Sequence, residues 1–266
     1  MSPPIGIFDS GVGGLTVLGA LRNRLPAEDF VYLGDTARLP YGTKSATTVQ
    51  RYAIAAAAHL AGHDVKLLVV ACNTASSYAL DVLTATSPVP VVGVVEPGVR
   101  AAAATRADRI GVIGTEGTVR SNAYQATLAR LVPEAEVEAV PCPLFVPLAE
   151  EGWGDHPVTD QVAAHYLAPL LDWGVETIIL GCTHYPLLRA SLQRVVGGEV
   201  RLVDSATAVA DTVVADHPDL VSTAPGAGSV RLELTDASDR FLRITRSILG
   251  SDPEHLAVVD VDARRP

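Results

Sequence analysis

The stretches VVACNTASS at residues 69–77 and IILGCTHYP at residues 178–186 have the same design. In each, an apolar run is followed by a small residue, a cysteine and two polar residues. Such a run is typical of a buried strand in a parallel sheet, and the polar residues after it indicate a turn. Cys72 and Cys182 stand 110 positions apart, so the chain is expected to contain two related halves.

The rest of the chain supports a duplication. IGIF at 5–8 and the amphipathic GLTVLGALRNRL at 14–25 open the first half, and RIGVIGT at 109–115 restarts the pattern. Alternating strands and helices predict parallel sheets with right-handed crossovers. We therefore predict an α/β protein of two similar parallel-sheet domains, related by a pseudo-twofold axis, with the site in the cleft between them. One domain is expected to comprise residues 1–96 and 208–266, and the other residues 97–207.

Helices are predicted at three further places. The segment 45–63 is helical in pattern, with Ser45 as its N-cap and Gly62 near its end. The segments 75–86 and 160–174 follow the same periodicity.

Composition narrows the class of protein. The chain has 266 residues, of which 48% are hydrophobic, and a net charge of −10. An acidic chain repels phosphate backbones, so we expect no direct nucleic-acid binding. Its apolar stretches are interrupted well short of the ~20 residues that a membrane span needs. Three cysteines do not suggest a disulfide framework, and MSPPIGIFDSG at the start has no leader pattern, so we expect a cytoplasmic protein with reduced thiols.

Polar residues gather where the predicted strands end. In open α/β sheets, ligands bind outside the carboxyl ends of the strands. Four segments stand at such ends and would face one shared cleft: DSGVGG (9–14), CNT (72–74), GTEGT (114–118) and CTH (182–184).

Two cysteines that face one cleft from opposite sides suggest a specific chemistry. A thiolate on one face of a carbon can remove a proton, while a thiol on the other face delivers one, which inverts the centre. A lone cysteine is more often a small buried hydrophobe, and Cys142, in VPCPLF, is interpreted that way. The repeated position and polar context of Cys72 and Cys182 favour a function for both.

Other motifs are weaker. DSGVGG lacks the Gly-Lys-Ser/Thr of a phosphate-binding P-loop. HLAGH at 59–63 has two histidines four apart, but Leu60 stands where a metalloprotease has Glu, so we interpret it as a helix end and expect no metal site. Lys44 and Lys66 lack the context of a Schiff-base lysine.

Seven segments, in order, resemble the glutamate racemases of the aspartate/glutamate racemase family. They span residues 5–207, and the last ~55 residues match only loosely and are expected to complete the fold. The segments are GIFDSGVGGLTV, LGDTARLPYG, ACNTAS, GVIGTEGTVRSNAY, CPLFVPLAEEG, LGCTHYPLL and VDSA.

The resemblance implies a cofactor-independent enzyme that interconverts L- and D-glutamate and supplies D-glutamate for peptidoglycan. It implies that Cys72 and Cys182 are the catalytic thiols, assisted by Asp9 and His184. It also implies a homodimer. Substrate contacts are implied for Asp9, Ser10, Tyr41, Gly42, Asn73, Thr74, Thr118, Glu150, Thr183 and His184.

Alternatives stay open at the level of sequence. A racemase for aspartate or for a hydantoin shares the two-cysteine plan, and pocket shape, which decides between them, is not readable from periodicity. A decarboxylase relative would work with one cysteine, whereas both are present here. A binding protein on the same fold is another class, since some glutamate racemases are reported to bind DNA gyrase, but no segment marks a surface for gyrase.

Overall fold

The computed structural model describes residues 2–221, 227–250 and 255–261, with only the backbone described for Arg240. The predicted first domain includes residues 222–226, 251–254 and 262–266, which lie outside the described part. The strands in the described residues are β1 (Ile5–Asp9), β2 (Phe30–Gly34), β3 (Leu67–Val70), β4 (Val91–Gly93), β5 (Arg109–Gly114), β6 (Glu136–Pro141), β7 (Thr177–Gly181), β8 (Arg201–Asp204), β9 (Val230–Leu234) and β10 (His255–Val258).

Helices connect the strands on both sides of each sheet. They are α1 (Leu15–Arg24), α2 (Ala46–Ala61), α3 (Asn73–Thr86), α4 (Val95–Ala103), α5 (Glu116–Arg120), α6 (Ala123–Leu131), α7 (Phe145–Glu150), α8 (Pro157–Trp173), α9 (Arg189–Val196), α10 (Ser205–Asp216) and α11 (Asp239–Leu249). Short 3₁₀ helices occur at Thr36–Arg38, Tyr41–Thr43, Tyr185–Leu188 and Pro218–Leu220.

Two parallel sheets are formed. The first has the order β10-β9-β2-β1-β3-β4 and the second the order β6-β5-β7-β8. Every strand pair is parallel, as the alternation of strands and helices predicts. The order β2-β1-β3-β4 in one half corresponds to β6-β5-β7-β8 in the other, so the prediction of two similar parallel-sheet α/β domains is confirmed.

Apolar side chains cover both faces of each sheet. In β1, Ile5 and Ile7 belong to one buried cluster, and Phe8 belongs to the cluster on the other face. The second sheet is covered in the same way, with Ile178 and Ile179 in separate clusters. Each buried Leu or Ile contributes roughly 1.5–3 kcal/mol relative to an exposed one, so these two-faced strands anchor the polar residues that follow them.

Helix ends differ slightly from the prediction. The α2 helix begins after Ser45, whose hydroxyl oxygen accepts the N–H of Thr48, as predicted for an N-cap. The α3 helix begins two residues early, at Asn73, because the sulfur of Cys72 is itself the N-cap. The α8 helix begins at Pro157, since proline suits the first helical position.

The last strands complete the first sheet rather than form a unit of their own. Strand β9 pairs with β2, placing Tyr32 opposite Leu232, and β10 pairs with β9. The domain boundaries proposed from the sequence stay a prediction. In the described part of the chain, no helix is both long and apolar enough to cross a membrane.

Candidate active site

A cavity of about 370 Å³ lies between the two halves at the carboxyl ends of their strands. This volume is within the range of small-molecule sites. Cys72 lines it from the first half and Cys182 from the second. The other lining residues are Ser10, Leu39, Pro40, Tyr41, Gly42, Thr43, Asn73, Thr74, Thr115, Glu116, Pro143, Val146, Pro147, Glu150, Thr183 and His184.

Cys72 lies between β3 and α3. Its Sγ accepts the N–H of Ala75 at 3.4 Å, and its thiol donates to Oγ of Ser10 at 3.4 Å. Burial raises the pKa of this thiol to about 12, and the charge of Asp9 adds to the rise, while the hydrogen bonds with Ser10 and Ala75 oppose it. Cys72 is therefore a neutral thiol at neutral pH.

Asp9, the last residue of β1, is fully buried behind the cavity wall. Its Oδ2 accepts the N–H of Gly11 at 2.9 Å, and the Thr183 hydroxyl lies 3.5 Å from Oδ1 as a donor. Burial raises the pKa of Asp9, although the charge of His184 and nearby backbone N–H groups act in the opposite direction. Asp9 thus joins the two halves through Thr183 and can hold a proton more readily than an exposed carboxylate.

His184 lies beside Cys182, just after β7. Its Nδ1 is 3.9 Å from the sulfur of Cys182. Its Nε2 is 3.2 Å from Oε1 of Glu150, an ion-pair distance without the alignment of a hydrogen bond. Burial alone would lower the pKa of His184, but Cys182 and Glu150 outweigh it and raise the pKa to about 10. His184 can therefore carry a positive charge at neutral pH beside the sulfur of Cys182.

The first turn of α3 offers hydrogen-bond donors to the cavity. Oδ1 of Asn73 accepts the hydroxyl of Tyr124 at 2.6 Å, while the buried Nδ2 has no hydrogen-bond partner among the described residues. The N–H groups at a helix N-terminus lack partners within the helix and favour anions. Asn73 and Thr74 line the cavity at this point, so a carboxylate would be well placed there.

The comparisons with known proteins agree with this geometry. The sequence model of the Asp/Glu/Hydantoin racemase family matches residues 15–213. The chain belongs to this family. Glutamate racemase of Geobacter metallireducens is 50% identical over 264 residues, which is 98% of each chain. The crystal structure of Francisella tularensis glutamate racemase in complex with D-glutamate has a TM-score of 0.92 at 35% identity, covering 98% of this chain and 99% of that one.

A more distant relative shares the fold alone. The Picrophilus torridus aspartate racemase superposes with a TM-score of 0.56 at 14% identity, covering 81% of this chain and 94% of its own. The present chain is itself an amino-acid racemase, which is an isomerase, as its family and its curated relatives indicate.

Most side chains that the sequence singled out line the cavity of the racemase, but two lie behind its wall. Asp9 is one, and Thr118 is the other. Thr118 is fully buried, and its hydroxyl lies 3.2 Å from that of Thr74 and 3.1 Å from that of Thr115. Thr74 and Thr115 are 2.9 Å apart and join the halves. Thr118 is therefore placed to orient these two hydroxyls rather than to contact a ligand.

Tyr41 and Gly42 both line the cavity. The hydroxyl of Tyr41 donates to Oδ2 of Asp35 inside the first half. Tyr41 and Gly42 begin a 3₁₀ helix, where the first N–H groups lack helical partners. A Cβ on Gly42 would lie 2.6 Å from Cβ of Thr115, so glycine allows the two halves of the racemase to approach here.

Some lining residues were not singled out from the sequence. Thr115 and Glu116 follow β5 directly, in the quoted GTEGT, so their position at a strand end was the available signal. Pro143, Val146 and Pro147 form an apolar part of the wall, and nothing in their pattern distinguishes them from core residues.

The charges of the cavity wall are few. Glu116 and Glu150 line it, with His184, while neither Lys nor Arg is among the lining residues. Lys66 lies elsewhere, where its Nζ contacts Oε2 of Glu28 at 2.6 Å. Neutral donors, helix ends and one imidazole are thus the lining groups that suit carboxylates, and the two glutamates are the lining groups of opposite charge to an ammonium group.

Proposed function

We propose that this chain is a cofactor-independent glutamate racemase that uses two cysteines as acid and base. The observation that carries the proposal is the pair of buried thiols, Cys72 and Cys182, that reach one cavity from corresponding strands of two similar halves. The likeness to glutamate racemases over almost the whole chain supports glutamate as the substrate.

The reaction is a proton transfer on each face of Cα. A thiolate sulfur takes the α-proton, the electron pair stays on the substrate as a carbanion, and the opposite thiol gives its proton to the other face. The enzyme is left with the protonation states of Cys72 and Cys182 exchanged. Proton exchange through neighbouring groups and solvent then restores the starting state.

The two helper groups differ, so the two directions use different proton relays. His184, with its pKa raised to about 10, is suited to stabilise a thiolate on Cys182. Asp9, with its raised pKa, is suited to share a proton with Cys72. Each cysteine is accordingly the base for one enantiomer of glutamate and the acid for the other.

Substrate binding follows from the donors on the wall. The α-carboxylate is assigned to the first turn of α3, where Nδ2 of Asn73 has no hydrogen-bond partner among the described residues and Thr74 lines the cavity. The side-chain carboxylate is assigned to backbone N–H groups of Tyr41 and Gly42 and to Thr183 and Ser10. The ammonium group would face Glu150. Donors at the α-carboxylate also stabilise negative charge as it develops on the carbanion, which is the hard step of this chemistry.

Further parts of the proposal rest on the resemblance. The product D-glutamate would serve peptidoglycan synthesis, in the cytoplasm. A homodimer is expected, and light scattering during size-exclusion chromatography tests it. A contact with DNA gyrase stays an open alternative that no segment of the sequence marks, and a pull-down with purified gyrase tests it.

The deciding experiment follows L-glutamate and D-glutamate, in separate samples, in D₂O without pyridoxal phosphate or added metal. Circular dichroism reports inversion, and proton NMR reports α-deuterium. Wild type should lose the dichroic signal while deuterium enters Cα. Cys72→Ser and Cys182→Ser should each stop inversion, leaving at most exchange into one enantiomer, a different one for each variant.

Cys142→Ser is the matched control. Cys142 is also a buried thiol, but it does not line the cavity, so its replacement should keep inversion. Inversion that persists in Cys72→Ser or Cys182→Ser would refute the two-thiol mechanism. If the wild-type protein inverted aspartate but not glutamate, the assignment of glutamate as the substrate would be wrong.

A further inference from the structure

A cluster outside the cavity joins α2 to β9. His59 lies in the last turn of α2, His63 lies four residues on in the turn that follows, and Glu233 lies in β9. None of them lines the proposed catalytic cavity. Their potential ligand atoms all lie within 4.8 Å of one another.

The two imidazoles converge on one oxygen atom. Nε2 of His59 is 2.6 Å and Nε2 of His63 is 3.1 Å from Oε2 of Glu233. The Glu233 side chain is only 4% exposed, while the histidine side chains are 23% and 27% exposed. A buried carboxylate thus meets two nitrogens at a place that solvent can reach from the histidine side.

We propose that His59, His63 and Glu233 bind one divalent transition-metal ion, with zinc as the preferred ion. Two imidazoles and one carboxylate form a donor set that zinc accepts, and solvent can supply the fourth ligand. Ligand atoms around tetrahedral zinc stand roughly 3.3 Å apart, given Zn–N bonds of ~2.0–2.1 Å. To reach that value, the Nε2–Oε2 distance of 2.6 Å at His59 would lengthen by about 0.7 Å and that of 3.1 Å at His63 by about 0.2 Å.

The sequence motif explains why such a site would be structural. HLAGH supplies two ligands four residues apart on one face of a helical turn, but Leu60 occupies the place of a catalytic Glu. The carboxylate comes instead from Glu233, 170 residues after His63 and on another element. The ion would therefore fasten strand β9 to α2, and binding only to the folded chain would stabilise it.

The test uses the full-length protein after chelator treatment and dialysis. Calorimetric titration with ZnCl₂ should show one binding event assigned to this cluster, and thermal unfolding should move to a higher temperature. Because thiols are potential zinc ligands, both measurements are made in a Cys72→Ser/Cys182→Ser background, which removes the two cavity thiols. Cobalt(II) added to this background should give the visible absorption of a tetrahedral site.

Variants locate the ion. Glu233→Gln keeps the size of the side chain, and His63→Ala removes one nitrogen. Each should lose the binding event, the cobalt absorption and the zinc-dependent stabilisation. His165→Ala is the control, since His165 is exposed on α8 and its loss should change none of these signals.

Two readouts keep the test decisive. The same substitutions in the wild-type background should leave metal-free racemisation unchanged, which shows that the variants fold. Wild-type-like zinc binding by Glu233→Gln and His63→Ala, or no binding event in the cysteine-free cavity background, would overturn the proposal and leave a His–Glu hydrogen-bonded cluster.

Discussion

The sulfur of Cys182 lies 3.9 Å from Nδ1 of His184, whereas the sulfur of Cys72 is hydrogen-bonded to the hydroxyl of Ser10. The two thiols of one cavity therefore have unlike partners. An imidazole can carry a positive charge beside a thiolate, but a serine hydroxyl can only donate to it or accept from it. The halves share a fold but not the protonation chemistry at their strand ends.

Replacing His184 by Gln should slow racemisation strongly. General acid–base groups contribute about 10²- to 10⁴-fold, so we expect a loss of kcat/KM in that range. The two enantiomers of glutamate are equally stable, so kcat/KM must fall equally in both directions. The difference between the thiols should appear in D₂O, where exchange initiated by Cys182 falls more than exchange initiated by Cys72.

The control for this variant is His165→Gln, because His165 is exposed on α8 and outside the cavity. Its kinetics should match those of wild type. Equal loss of both exchange reactions in His184→Gln would contradict the assignment of His184 to Cys182 alone.

The charge on His184 should also make stability depend on pH. Its pKa rises from 6.5 to about 10 in the folded chain, so the folded state holds this proton more tightly. The contribution to the free energy of unfolding is complete below about pH 6.5 and is lost as pH rises through about 10. Urea denaturation of wild type and His184→Gln from pH 6 to 10.5 should show their difference shrinking at high pH, and a constant difference would argue against the charged imidazole.

Asp9→Asn should abolish racemisation but make the folded protein more stable. Burial raises the pKa of Asp9, so the ionised carboxylate is unfavourable in the fold above that pKa. Removing the charge should raise the unfolding temperature by a few degrees near pH 7 while racemisation is lost. Because a raised pKa makes the penalty appear as pH increases, the gain should shrink as pH falls toward 4. A variant less stable than wild type at pH 7 would show that the hydrogen bonds to Gly11 and Thr183 matter more.

Gly13→Ala should damage catalysis through sterics alone. A Cβ at Gly13 would stand 2.5 Å from Nδ1 of His184 and even closer to the hydroxyl of Thr183, so both side chains must move. A displacement of about 1 Å in a catalytic group can cost about 10²-fold, and we expect a loss of kcat of that order.

Gly19→Ala is the matched substitution, because a Cβ at Gly19, in α1, meets no atom within 4 Å. It should keep kcat and raise stability by up to about 1 kcal/mol, as Ala is the better helix former. Steady-state assays and thermal unfolding of both variants check the pair. Full activity of Gly13→Ala would mean that His184 has more freedom than its packing indicates.

The sequence predicts the parts of the site that follow from strand ends. Cys72 and Cys182 come after buried apolar runs, and parallel strands bring their carboxyl ends to one edge, so their convergence on the cavity was predictable. The direction in which a side chain points could not be predicted from the sequence. Tyr41 turns its hydroxyl to Asp35 because of tertiary packing, which periodicity does not encode.

The pairing of strands that are far apart in the chain could not be predicted from the sequence either. Strand β9 is short, and its partner β2 lies 200 residues earlier, with Phe30 opposite Val230. Neither its neighbours in the chain nor its own five residues indicate that partner. The meeting of Glu233 with HLAGH depends on the same pairing, so those histidines could be interpreted only as a helix end.

The pairing of β9 with β2 has a consequence for incomplete chains. Every residue of β2 is buried, and β9 saturates its backbone on the outer side. A product that stopped before residue 227 would leave FVYLG as an open, apolar sheet margin, the kind of surface that recruits other chains into aggregates. Among the strands that the structure describes, the outermost on this side of the sheet is instead the four-residue β10, which offers little length for misdirected pairing. The C-terminal strands β9 and β10 therefore protect the chain from aggregation, because they cover the sheet edge that β2 would otherwise expose.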